Sequence, residues 1–187
     1  MKHVIIAIAI LFTTTSLTAQ LVIDDISVEK KISVQNQELV LNGAGQRTSA
    51  FFDLYVGALY TPSKTSNAQA IINEDKPLAI TLDITSRLVS QGKMIDAVET
   101  GFEDSCSNKE RKAISKDIKK FIGFFNEEIV MKDHFEIAYI PGKGTLVSKN
   151  GKEKGVIAST AFKKCLFSIW LGDEPVDADL KSRMLGK

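Results

Sequence analysis

Residues 41–60, LNGAGQRTSAFFDLYVGALY, decide the fold. Phe51 to Tyr60 is a β-prone run closed by Thr61-Pro62, and it predicts a strand. Ahead of it, Gly43 and Gly45 predict a tight turn between two strands, because glycine adopts positive φ without steric cost. A phosphate loop is excluded. The segment LNGAGQR lacks the Lys-Ser/Thr of a P-loop, and a strand follows where a nucleotide motif needs a helix N-terminus. Alternation along the strand sends Phe51, Asp53, Tyr55 and Leu59 to one face and Phe52, Leu54, Val56 and Tyr60 to the other. Tyr55 and Tyr60 share a face only if a bulge intervenes.

Outward from this stretch the same rules give the remaining elements. Residues 27–34 and 38–41 form a hairpin around Asn36, and residues 78–85 form a strand after Pro77. Ser66 with Gln69 resembles a capping box for a short helix over 67–74. From residue 90 the period changes: Met94, Ile95, Val98, Gly101 and Phe102 fall on one helical face. Ser107 with Glu110 opens another helix, whose stripe is Ile114, Ile118, Phe121, Ile122, Phe125 and Ile129. Strands at 134–140, 145–148 and 153–157 make a meander with a hairpin turn at Asn150-Gly151. One helix then carries Ala158, Ala161, Phe162, Cys165, Leu166 and Ile169, and a last one runs from about Asp177 to Leu185. About seven strands in two groups, without βαβ alternation, predict an α+β protein: a mostly antiparallel sheet with a helical layer on one face.

The N-terminus, MKHVIIAIAILFTTTSLTAQ, is a different object. Lys2, the nine apolar residues Val4 to Phe12, and small residues up to Ala19 have the layout of a secretory signal peptide. Nine apolar residues reach about half of the ~20 that span a bilayer, so no transmembrane span is expected after cleavage. Residues 1–19 are thus expected to be removed, leaving one domain over 20–187 in an exported, periplasmic or extracellular protein. The whole chain has 187 residues, 44% apolar and 25% charged, with net charge +1. Without Lys2, Lys+Arg falls from 24 to 23 against 23 Asp+Glu, and a neutral protein is not built for nucleic acid. His3 leaves too, so His134 is the sole remaining imidazole, with no partners at metal-ligand or triad spacing. Cys106 and Cys165 would meet an oxidising compartment, where they either pair or stay as separate core thiols, since Cys165 lies on the apolar face of its helix.

LNGAGQR, the strand ending YVGALY and the C-terminal AFKKCLFSIWLGDEPVDADLKSRMLG together resemble the chalcone isomerase-like family, most closely its secreted bacterial branch. The resemblance covers residues 21–187 and implies an open-faced β-sandwich: a large antiparallel sheet, helices on one side, and a ligand cleft between them. It further implies that Arg47, directly after the glycines, faces the cleft. Tyr55 then matches the position that is threonine in true chalcone isomerases and tyrosine in the fatty-acid-binding relatives.

A guanidinium fork beside a phenol suits a carboxylate, whereas a charged arginine in an apolar cleft is costly without an anion. The alternative is that Arg47 pairs with a nearby carboxylate and Tyr55 is simply core. The catalytic set of the true isomerases is largely missing: Val89 stands for a tyrosine, Asp96 for an asparagine, and Ile169 and Trp170 for a late hydroxyl, with Ser168 only adjacent. The resemblance therefore implies a non-catalytic binder of a small apolar anion such as a fatty acid. Arg47 and Tyr55 would hold its carboxylate, and helix 94–102 with the Phe121–Phe125 face would enclose its tail. No metal or organic cofactor is implied. Two alternatives stand beside it: an isomerase or lyase acting on an enone with Arg47 as oxyanion stabiliser, and an interaction module whose cleft is filled by its own side chains. Trp170 is expected to fill core space or cap the cleft. Asp96 and Glu99 lack a partner for acid–base work. Lys109, Arg111, Lys112, Lys116, Lys119 and Lys120 form a basic helix face, solvated or laid against an anionic membrane.

Overall fold

A computed structural model of the chain describes residues 21–187; the expected signal peptide lies outside the described residues. Seven strands form one antiparallel meander in sequence order: β3 (Lys31–Val34), β4 (Gln37–Ser49), β5 (Phe52–Thr61), β6 (Leu78–Ile84), β7 (His134–Ile140), β8 (Gly144–Lys149) and β9 (Lys152–Ile157). A separate hairpin, β1 (Leu21–Ile23) with β2 (Ile26–Val28), precedes them. The helices are α1 (Ala68–Asn73), α2 (Gln91–Ser105), α3 (Asn108–Ala113), α4 (Ser115–Ile122), α5 (Thr160–Leu171) and α6 (Ala178–Met184).

Strand alternation divides the core by size. Large side chains turn to the helices: Tyr55 and Leu59 from β5, Ile80, Leu82 and Ile84 from β6, and Phe135, Ile137 and Tyr139 from β7. The reverse face carries smaller ones, including Val56, Ala58, Ala79 and Ala138, against which Ile23 and Ile26 of the β1–β2 hairpin pack. One thick core and one thin one make the sandwich open-faced. Tyr55 and Tyr60 do take opposite faces; Tyr60 donates its hydroxyl to the Glu29 carbonyl at 3.0 Å.

Gly43 and Gly45 are not a turn. Both lie inside the thirteen-residue β4, and neither has positive φ. A Cβ on Gly43 would stand 2.1 Å from the Arg183 carbonyl oxygen, and one on Gly57 of β5 would stand 2.7 Å from Met184 Cε. The glycines form a groove that lets α6 lie directly on the sheet. Asn42, the extra residue of a bulge, ties the end of α6 in place: its amide donates to the carbonyls of Met184 (2.7 Å) and Thr65 (2.9 Å) and accepts from the Thr65 N–H. The actual turn is Ala50-Phe51, between the paired Ser49 and Phe52.

The Ser107–Glu110 capping box forms as predicted, but the long helix does not. Ile114 separates α3 from α4, and the helix ends at Gly123; Phe125 and Ile129 reach the core from beyond it. At α1 the cap is Asn67, not Ser66. Cys106, following α2, is disulfide-bonded to Cys165 of α5.

Candidate functional site

The glycine row along β4 explains where Arg47 stands. Gly43 pairs with Leu59, Gly45 with Gly57 and Arg47 with Tyr55, so all three β4 residues face the helices. The chain of α6 covers the two glycines and begins beside the third position. Its N-cap, Asp177, accepts from Leu180 N–H through one oxygen (2.8 Å) and from Thr48 N–H through the other (3.2 Å). Arg47 is the first side chain of the row that emerges from under α6.

It emerges beside a cavity of about 290 Å³, lined by Arg47, Ser49, Tyr55 and Lys93 among the polar groups, with Phe52, Leu54, Leu88, Val89, Met94 and Ala97 supplying an apolar wall. Among the described residues, two cations and no carboxylate line it. A second β-bulge places Leu54 opposite no partner, between the pairs Arg47–Tyr55 and Thr48–Asp53. That extra residue shifts the alternation, so Phe52 and Leu54 share the cavity with Tyr55 and the sequence-based assignment of their faces is corrected. Met94 and Ala97 come from α2, as expected. The Phe121–Phe125 face does not enclose the cavity: Phe121 packs at 5.3–6.3 Å from Phe102, Phe124, Phe125 and Phe162. Those rings fill the core and leave the wall to α2 and the Arg87–Val89 loop.

Within the cavity the Arg47 guanidinium carbon lies 5.5 Å from the centroid of the Tyr55 ring. Arg47 Nε is buried without a hydrogen-bond partner, and among the described residues Arg47 forms no ion pair. Trp170, from α5, donates Nε1–H to the Tyr55 hydroxyl at 2.9 Å. The phenol accepts that bond, which leaves its own proton as a donor. Burial pushes the Tyr55 hydroxyl above its usual range, against the pull of Arg47, which keeps it protonated as a donor at neutral pH. Asp96, Asp104 and Glu174 gather around a smaller depression on the other side of Arg47. The 290 Å³ side is thus the one that suits an anion.

The fold, the glycine-row arginine and the tyrosine beneath it coincide with a sequence match: the pattern of chalcone isomerase-like proteins covers residues 20–186. The chain belongs to the chalcone isomerase-like family. A fatty-acid binding protein of Arabidopsis thaliana has a similar structure, with a TM-score of 0.71 at 17% identity over 89% of this chain and 96% of that one. No curated protein matches in sequence.

The structure places the residues that the resemblance set against the isomerases' catalytic groups as follows. Val89 lines the cavity with an isopropyl group. Asp96 is exposed and borders the other depression, and Glu99 is exposed too. Ser168 donates its hydroxyl back to the Lys164 carbonyl at 2.8 Å. The family resemblance joined Arg47 to Tyr55; Lys93 and Leu88 escaped it, because a helix start and a loop bring them in from about forty residues away. Trp170 was readable as core or cap; it is core, and it orients the phenol.

Proposed function

We propose that the protein is a non-catalytic carrier of a small apolar anion, a fatty acid or close analogue, held between β5 and α2. One observation carries this reading: Arg47, with a buried and unpartnered Nε, shares a largely apolar cavity with Lys93, Ser49 and Tyr55, and among the described residues no acidic side chain lines that cavity. A charge left unpaired at the edge of a core is expensive, and a carboxylate is the ligand that removes the cost. The fork of Arg47 and the Tyr55 proton supply convergent donors, while Phe52, Leu54, Val89, Met94 and Ala97 meet an alkyl chain. The volume sits at the small end of the roughly 300–1,000 Å³ range of ligand pockets, so a longer tail would extend past Leu88 and Phe52 to the surface. The structural neighbour's fatty-acid binding supports the ligand class. The leader-like N-terminus and the Cys106–Cys165 disulfide support action outside the cytoplasm.

The test is to purify the mature protein under native conditions, denature it, extract with organic solvent and analyse the extract by mass spectrometry. A stoichiometric fatty acid from the wild type, absent from Arg47→Met, is the expected result. An empty extract, together with no thermal shift on adding saturated fatty acids of several lengths, would overturn the reading.

A further inference from the structure

The mouth of the cavity exposes apolar side chains that the core does not use. Among the described residues seven large hydrophobic side chains are exposed, and five of them belong to this end of the sheet: Phe51, Phe52, Leu88, Val130 and Met131. Phe52 and Leu88 line the cavity; Val89 continues it into a neighbouring depression bordered by Arg87, Val130 and Met131. The segments are held together by backbone bonds, Lys132 N–H to the Ile84 carbonyl (2.8 Å) and Thr85 N–H to the Leu54 carbonyl (3.1 Å).

Phe51 is the least expected of these. Four two-residue hairpin loops have positive φ at both positions: Asp24-Asp25, Gln35-Asn36, Ala50-Phe51 and Asn150-Gly151. Three contain the Asp, Asn or Gly that such turns favour. The loop Ala50-Phe51 contains none, and it holds a fully exposed phenyl ring (101%) at φ 72°, a conformation that bulky side chains avoid. Folding gains nothing from that ring in water. Charged groups adjoin the patch: Arg87 and Glu128 border the depression and Lys93 the cavity, while the exposed Lys132 and Asp53 follow Met131 and Phe52 in the chain. By contrast, no large exposed hydrophobic residue lies on the basic α3–α4 segment, so that face has nothing to insert.

We propose that this end of the molecule docks on a bilayer containing anionic lipid. Phe51, Phe52 and Leu88 enter the headgroup–acyl boundary, and Arg87, Lys93 and Lys132 sit at the level of the phosphates. The cavity then opens directly onto the acyl region, so a fatty acid passes between membrane and protein without crossing water. The docking stands on the exposed patch alone; the transfer rests on the carrier reading above.

Co-sedimentation of the mature protein with vesicles of equal parts phosphatidylglycerol and phosphatidylcholine tests it, beside pure phosphatidylcholine vesicles. Binding is expected to favour the anionic vesicles and weaken with added salt. Phe51→Asn suits the turn and leaves every cavity-lining residue intact; it should lower partition about tenfold while fatty-acid affinity and folding stay unchanged. Met131→Ser should lower partition as well, and Lys112→Gln should not. Absence of binding to both vesicle types, or Phe51→Asn binding as well as wild type, overturns the proposal. So does a patch-mediated dimer, seen by light scattering and abolished by Phe51→Asn, in protein that does not bind vesicles. Vesicle binding by a protein whose extract is empty would keep the docking and remove the carrier reading.

Discussion

Arg47 and Tyr55 act as one unit, and each is held by a different neighbour. Arg47 is placed by the two glycines before it, which let α6 cover the sheet up to its position and no further. Tyr55 is placed by Trp170, whose indole N–H occupies the phenol's acceptor side. Tyr55→Phe separates the two roles, because the ring and its stacking with the guanidinium remain while the hydroxyl is lost. The orphaned indole N–H should cost about 1–3 kcal/mol of stability in denaturant titration. A carboxylate losing a phenol donor should bind roughly ten- to a hundredfold more weakly in fatty-acid titration, since a hydrogen bond to a charged group contributes about 1.5–3 kcal/mol. Unchanged affinity with the stability loss alone would reduce Tyr55 to a core residue and leave the anion to Arg47 and Lys93.

Between elements, β6 and β7 are joined by more than their ladder. Asp83 and His134 are directly paired, with His134 Nδ1 2.7 Å from Asp83 Oδ1, and that hydrogen bond raises the imidazole above its ordinary 6.5. A raised pKa in the folded state means that folding binds a proton. The pair's contribution is complete below pH 6.5 and fades as pH climbs through the folded value. Urea midpoints measured across pH 5.5–8.5 should therefore carry a downward contribution on the alkaline side that Asp83→Asn abolishes; an identical profile in the variant would refute it. Element by element, what was legible in the sequence followed local chemistry. The Ser107 box, the Asn150-Gly151 turn and the α2 stripe all formed where their residues demanded. What failed depended on tertiary partners. Gly43 and Gly45 looked like a turn because nothing local announces that α6 will lie over them. Lys163, beside Lys164, carries no local sign of its role. It is buried, donating to the carbonyls of Ile71 (3.1 Å), Ile72 (2.7 Å) and Glu74 (2.9 Å) to tie off α1, with burial pushing its ammonium down to about 8. In the site the arginine–tyrosine pair was legible through the family resemblance, while the register that joins the two was not, because it depends on a turn at Ala50-Phe51 and two bulges; Lys93 and Leu88 were not legible because they arrive from other elements.

At the scale of the whole molecule the cavity has a floor and a wall from different parts of the chain. Trp170 of α5 underlies Tyr55, while Lys93, Met94 and Ala97 of α2 face it. The two helices pack closely where a Cβ on Gly101 would approach Ile169 Cγ2 to 2.9 Å, and the Cys106–Cys165 bond fastens them covalently. The cystine spans 59 residues, a segment that contains α3, α4 and the β7–β9 meander. Closing a loop of that length restrains the unfolded chain by about 4 kcal/mol in the chain-entropy account. For a domain whose total stability is on the order of 5–15 kcal/mol, that is a large share. Reduction, or the double change Cys106→Ser with Cys165→Ser, should lower the unfolding free energy by about 3–4 kcal/mol. Because α2 is the wall and α5 the floor, fatty-acid affinity should fall together with stability, although neither cysteine lines the cavity. Denaturant titration with and without reductant, paired with ligand titration of the double variant, measures both. A stability loss without any change in affinity would mean that Gly101 packing alone fixes the α2–α5 spacing. No stability loss would mean that the bond leaves the unfolded chain as free as before.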